Sequence, residues 1–204
     1  MRYFNPREDI EKTHHKLPHW TQSGVPVSVT FRLSDSLPKG LLHEWLALRE
    51  SFHLSHPLPW DEATESLYAA LCTSKLDLYL DAGHGCCALS DPRVRQIVVE
   101  RLHHFDGVRY HLNSYVVMPN HVHVLVELAD CNAIAPTLQG WKGVSSRYIR
   151  QAMLCDLDPV WQPEYHDRLI RSPEHFNKAR DYIRKNPTQA GLREGTFQWW
   201  ERGM

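Results

Sequence analysis

Two β-rich runs, Tyr110 to Val117 and Val122 to Leu128, are separated only by Met118, Pro119, Asn120 and His121. Strands this close in sequence pair antiparallel, because a parallel crossover needs a dozen or more residues. The middle of the chain is therefore a hairpin or a sharply bent strand pair, on which the rest must pack. Val25 to Leu33 (VPVSVTFRL) reads as a first strand ending at the turn SDSLPKG. Leu41, Leu42, Trp45, Leu46 and Leu48 then recur at helical spacing up to the break at His56 to Trp60, and a second helix begins at Asp61 and carries Leu67, Leu71 and Leu78. LDAGHGCCAL, Leu80 to Leu89, is a glycine-punctuated loop, and Ser90 or Asp91 with Pro92 opens a third helix running to about His104. Beyond the hairpin, Ala133 to Leu154 is helical, Val160 to Arg171 is irregular or a short strand, and Ser172 to Lys185 forms a last helix. That helix is predicted to stop at Asn186, because a residue before proline is pushed out of the helical region. This order predicts an α+β fold, an antiparallel sheet with helices on one face.

The 204 residues, 42% hydrophobic and 23% charged, suffice for one sizeable core and point to a single domain over 1–204. No apolar run approaches the ~20 residues that span a bilayer, so no membrane partner is expected. The charged start MRYFNPREDIEKTHHK lacks the apolar centre of a signal peptide, which points to a cytoplasmic product. The five cysteines, odd in number and without C-x-x-C spacing, read as reduced thiols. With 23 Lys+Arg against 24 Asp+Glu, a histone-like blanket of DNA is excluded. Charge is uneven, however: residues 139–204 hold 11 Lys+Arg and 8 Asp+Glu, which permits a nucleic-acid face on that third.

Two clusters carry chemistry. In Met118-Pro119-Asn120-His121-Val122-His123, side chains two apart on a strand share a face, so His121 and His123 present adjacent imidazoles while Val122, Val124 and Val126 face the other way. This is half of a divalent-metal site, and the same pattern also suits a solvent-facing strand. In Asp181-Tyr182-Ile183-Arg184-Lys185-Asn186-Pro187, Tyr182 and Asn186 are four apart near a helix end and share a face.

MPNHVHVLVE, followed by WQPEYHDRLIR and YIRKNP…AGL, resembles the REP-associated tyrosine transposases, a branch of the IS200-like single-tyrosine transposases with a His-hydrophobic-His metal motif. The resemblance extends through VTFRLSDSLP, LDAGHGCCAL, Arg109-Tyr110 and Trp141-Lys142, and so covers most of the chain. It implies a ferredoxin-like α+β sheet, with extra helices inserted here after the first strand. It further implies a metal-dependent single-stranded DNA endonuclease and strand transferase acting on hairpin-forming palindromes. Tyr182 would be the nucleophile, and His121 and His123 would hold Mg²⁺ or Mn²⁺, with Asn186 at the position of a third, polar ligand. A tyrosine hydroxyl, with pKa about 10, is a poor nucleophile, and a hard cation on the phosphate would help it by neutralising developing charge. Lys142, Arg147, Arg168, Arg171, Arg184 and Lys185 are candidate contacts to single-stranded or hairpin DNA, while His166 and Asp167 match a family block without a derivable role. A monomer or homodimer fits this reading. Two alternatives stay open, a hairpin-binding protein without catalysis and a metal-dependent hydrolase using water.

Overall fold

The computed structural model describes residues 2–14, 18–57, 60–129 and 133–203. After a small hairpin, β1 (Glu11–His14) with β2 (Pro18–Thr21), the main sheet is built from β3 (Pro26–Arg32), β4 (Tyr110–Val117), β5 (His121–Leu128), β6 (His166–Leu169) and β7 (Gln198–Glu201). It is antiparallel throughout, in the order β6-β3-β5-β4-β7. Its first four positions have the strand order of a ferredoxin-like sheet, to which β7 adds an edge beside β4. The hairpin and the first strand stand where the sequence places them. The four-residue β1, β2 and β7 carry too little pattern to be read from sequence.

Helices cover both faces of the sheet, not one. Val27, Val29, Phe31, Tyr115, Val122, Val124 and Val126 form one apolar face under α4 (Pro92–His103) and α5 (Ile134–Gln151), which contribute Val98, Leu102, Leu138 and Trp141 among others. The other face carries Val116, Met118 and Leu125 against Ile170 and Ile183, the latter from α6 (Pro173–Gln189). A one-sided sheet would need polar residues alternating along β5, whereas nearly all of β5 is buried. The expected polar positions are the two histidines, and they are buried too.

The helices inserted after β3 are α1 (Lys39–Ser55), α2 (Glu62–Tyr68) and α3 (Ser74–Asp81), with a π-helical turn at Ala69–Thr73 joining the last two. Their buried seam is Trp45, Arg49 and Phe52 against Tyr68, Cys72, Leu76 and Leu80, closed by the Trp45 indole donating to the Cys72 carbonyl at 2.9 Å. Leu67, Leu71 and Leu78, which made the segment legible as a helix, lie on its outside instead. The π turn inserts a residue into the helical repeat, so spacing alone misplaces the buried face.

The last helix does not stop at Asn186. It runs through Pro187 to Gln189, with the Ala190 and Leu192 amides donating to the Asn186 and Pro187 carbonyls at 2.9 Å each. Proline forfeits one hydrogen bond without preventing the next turn, and the helix packs on the sheet at this point through Ile183. Asn186 is thereby carried inside the helix and buried rather than left at a frayed end. Among the described residues Cys72, Cys86, Cys87 and Cys155 are free thiols, and no helix is long and apolar enough to cross a membrane. Cys131 lies outside the described residues.

The loop after α3 is fixed by Asp35, whose carboxylate accepts from the Cys86 amide at 2.7 Å. Gly85 sits at φ +85°, and a Cβ there would come within 2.6 Å of the Asp35 backbone carbonyl oxygen. Both the left-handed backbone and the close approach require glycine. Gly85→Ala is expected to lower stability by at least about 1–2 kcal/mol, a loss of several degrees in Tm by thermal denaturation; an unchanged Tm would contradict this packing.

Candidate active site

The site starts from a buried amide. Asn120 is 1% exposed in the β4–β5 turn, and its NH₂ donates to the Leu80 carbonyl at 3.1 Å and the His84 carbonyl at 3.2 Å, at and just beyond the end of α3. With both amide protons so used, Asn120 Oδ1 faces His121 Nδ1 at 2.8 Å as an acceptor, so that Nδ1 carries the proton. His121 Nε2 is then a bare acceptor, and His123 Nε2 approaches it at 3.0 Å. One proton, donated by His123, holds the pair together. His123 Nδ1 in turn meets Thr30 Oγ1 at 2.7 Å, directly across the β3–β5 register. A hydroxyl can donate or accept, so Thr30 supports either tautomer of His123 without movement of the ring.

Both imidazoles are 3% exposed or less. Burial drives both below the ordinary histidine range, His123 to about 3 and His121 well down with help from His123 and Arg32, so both are neutral near pH 7. Neutral, oriented imidazoles with a carbonyl or hydroxyl on the far nitrogen are the form in which histidine binds metals.

α6 closes over this pair. The Tyr182 ring meets His123 edge-on, with centroids 5.2 Å apart. The Tyr182 hydroxyl and the Asn186 amide oxygen are both buried without a regular hydrogen-bond partner. The four residues singled out in the sequence therefore lie on one side of the sheet, His121 and His123 on β5 and Tyr182 and Asn186 on the helix that covers them. Two donors arrive that the sequence reading missed. Asp77 and Asp81, one turn apart on α3, stand beside the tyrosine; burial raises Asp77 to about 7, partly offset by the Tyr182 hydroxyl, and raises Asp81 to about 6. The Asp81 Oδ1 atom is also buried without a partner. Burial, reinforced by these carboxyls, holds the Tyr182 hydroxyl well above the ordinary phenol value. The signal was present as two acids four apart in the otherwise apolar run KLDLYLD, but only the packing of the inserted helix shows where they point.

The residues fit a hard cation. Cis ligands at about 2.1 Å from an octahedral ion lie about 3 Å apart, the spacing of the two Nε2 atoms, and the orphaned Asn186 oxygen is a third donor of suitable type. No three His, Cys, Asp or Glu side chains converge as a metal cluster among the described residues, so the remaining positions would fall to water or phosphate oxygens.

The basic residues divide. Lys142 and Arg147 belong to α5, across the sheet from Tyr182, and the Lys142 ammonium donates to the Gln162 and Pro163 carbonyls at 2.5 and 2.8 Å. Burial lowers that ammonium to about 8, and its two carbonyl contacts already engage it in the fold. Arg184 and Lys185 lie on the exposed flank of α6 beside Asp181. Arg168 and Arg171 both pair with Glu65 at the β6 edge. His166 lies there too, its ring parallel to Tyr68 within 7°.

Comparison with known proteins bears on one segment of the chain and on its fold. The family described as Transposase IS200 like matches residues 91–186. Among solved structures, a REP-associated tyrosine transposase bound to a REP hairpin is 14% identical with a TM-score of 0.50, over 89% of this chain and 77% of that one. A protein assigned as a transposase from Deinococcus radiodurans R1 is likewise 14% identical, with a TM-score of 0.38 over 91% of this chain and 98% of that one. No curated protein sequence matches the chain. The segment matched by the IS200-like transposase family, residues 91–186, is the one that holds His121, His123, Tyr182 and Asn186.

Proposed function

We propose that the protein is a metal-dependent single-stranded DNA endonuclease and strand transferase that uses Tyr182 as its nucleophile and acts on hairpin-forming DNA. The observation that carries this reading is a tyrosine whose ring packs on a neutral histidine pair, with its buried hydroxyl and the Asn186 amide oxygen both lacking a regular hydrogen-bond partner. Hairpin DNA is proposed from the solved relative, which is described as bound to a REP hairpin. His121, His123 and Asn186 would hold Mg²⁺ or Mn²⁺. Such an ion, when bound, supplies positive charge to a non-bridging phosphate oxygen.

The chain's own residues account for the rest. The Tyr182 oxygen attacks phosphorus, forming the tyrosine–phosphate bond as the P–O3′ bond breaks, and the departing oxygen takes up a proton to leave a free 3′-hydroxyl. The phenol proton passes to a carboxylate, for which Asp77 beside the hydroxyl is the acceptor. The link is a phosphodiester like the one broken, so a 3′-hydroxyl attacking it reverses the step and rejoins strands without ATP. Closure by α6 and α3 excludes water, which favours this transfer over hydrolysis.

The test is incubation with a pool of end-labelled hairpin oligonucleotides and Mn²⁺, read on a denaturing gel. Wild type is expected to retain the 3′-side fragment covalently and to release a fragment ending in a 3′-hydroxyl, while Tyr182→Phe binds the same hairpins and forms no adduct. Nicking by Tyr182→Phe at the wild-type rate would show water to be the nucleophile.

The acid pair sets the pH dependence. Asp77 accepts a proton only when ionised, so the cleavage rate rises with pH through about 7 and levels off above it. His121 and His123, held below the ordinary histidine range, add no limb in that window. Asp77→Asn is expected to slow single-turnover cleavage by about 100-fold or more and to remove the limb; an unchanged profile would take the proton acceptor elsewhere.

A further inference from the structure

A second cleft opens on the same face of the sheet. Thr30 of β3 pairs with His123 on one side and with His166 of the edge strand β6 on the other, so His166 lies two strand spacings, about 10 Å, from the histidine pair. The cleft there has an empty volume of about 740 Å³, counting space open to solvent. Its walls are rings: Trp60 and Tyr68 have centroids 4.8 Å apart, His53 lies 4.9 Å from Trp60, and the His166 ring is parallel to Tyr68 at 6.1 Å. Its base is cationic and incompletely satisfied. Arg49, 7% exposed, donates through Nε to the Tyr68 hydroxyl at 3.0 Å, but its Nη1 has no partner. Arg171 Nε is also buried without a partner, although that guanidinium pairs with Glu65.

Two unpartnered guanidinium donors amid clustered rings call for a flat ligand with acceptors on its edge. An unpaired nucleobase meets both demands, since its face stacks on the rings and its carbonyl oxygen or bare ring nitrogen accepts from arginine. An aliphatic or purely apolar ligand would leave the guanidinium donors unsatisfied, and a bare phosphate would leave the rings unused. We propose that this cleft takes one unpaired base of the single-stranded stretch next to the scissile phosphate, and so sets the position of the strand over Tyr182. The walls come mainly from the helices inserted after β3 and from Trp60 between them, which gives that insertion a function in substrate binding. The proposal rests on the DNA reading above for the nature of the strand.

The test uses the full chain in EDTA, so that binding is read without cleavage, and a short oligothymidylate carrying 5-iododeoxyuridine as the probe. Photo-crosslinking followed by mass spectrometry of the digest is expected to map the adduct to His53, Trp60, Tyr68 or His166. His166→Ala, a half-buried edge position, should fold as wild type by circular dichroism and weaken oligothymidylate binding at least fivefold, the lower end of what one stacked base contributes (about 1–3 kcal/mol). Tyr182→Phe should leave the crosslink in place. The absence of a crosslink, adducts mapping only outside the cleft, or His166→Ala binding within twofold of wild type would each overturn the proposal. A cleft crosslink without any Tyr182 adduct on hairpins would overturn the nuclease reading and leave the cleft standing; the reverse result would do the opposite.

Discussion

The Asn120 side chain joins the parts on which the rest depends. Its two amide protons hold the end of α3 and the following loop, and its oxygen fixes the tautomer of His121. One residue in a strand turn therefore sets both where the inserted helices sit and which nitrogen of the first histidine is bare. Because the amide is 1% exposed, no water can substitute for these contacts without opening the turn. The carboxyls of Asp77 and Asp81 reach the tyrosine only because α3 ends against this amide.

From that anchor the site is a set of buried groups kept neutral or unsatisfied. The histidines are depressed by burial, the two aspartates and the tyrosine are raised by it, and the Asn186 and Tyr182 oxygens lack partners. The stability consequences have opposite signs. A histidine with a depressed pKa costs stability as pH falls below about 6.5, where the unfolded chain takes up the proton first, whereas an aspartate with a raised pKa gains it over the range in which only the folded form is protonated. The two tendencies offset each other over the same pH window. Such a cluster is poor as a core and well suited to a cation and a phosphate, each of which would satisfy several of these atoms together.

Much of this was legible in the sequence where the signal is local. The β4–β5 hairpin, the β3 strand, the Asp91-Pro92 helix start and the His121/His123 face follow from alternation, turn residues and capping, which act within a few residues. What failed was long-range or depended on competition between effects. Proline at 187 was expected to end α6, but sheet packing outweighed one lost hydrogen bond, and that brought Asn186 into the site. The leucines of α2 and α3 marked a helix while facing solvent, because the π turn shifts the repeat. Asp77, Asp81, Thr30 and the edge cleft at His166 depend on which elements touch, and no spacing along the chain records that. Among the basic residues, charge alone could not separate Lys142, tied to backbone carbonyls, from Arg168 and Arg171 at the cleft.

The central claim is that the Nε2 atoms of His121 and His123, 3.0 Å apart and backed by Asn120 and Thr30, share one hard cation beneath Tyr182 once the His123 proton has moved to Nδ1, facing Thr30. Pulsed electron paramagnetic resonance of the Mn²⁺-loaded full chain tests it most directly, because it counts the nitrogens bonded to the ion. The account predicts two coupled nitrogens in wild type and one in His123→Ala. A spectrum of fully hydrated Mn²⁺, or nitrogen coupling that survives replacement of both histidines, would contradict it.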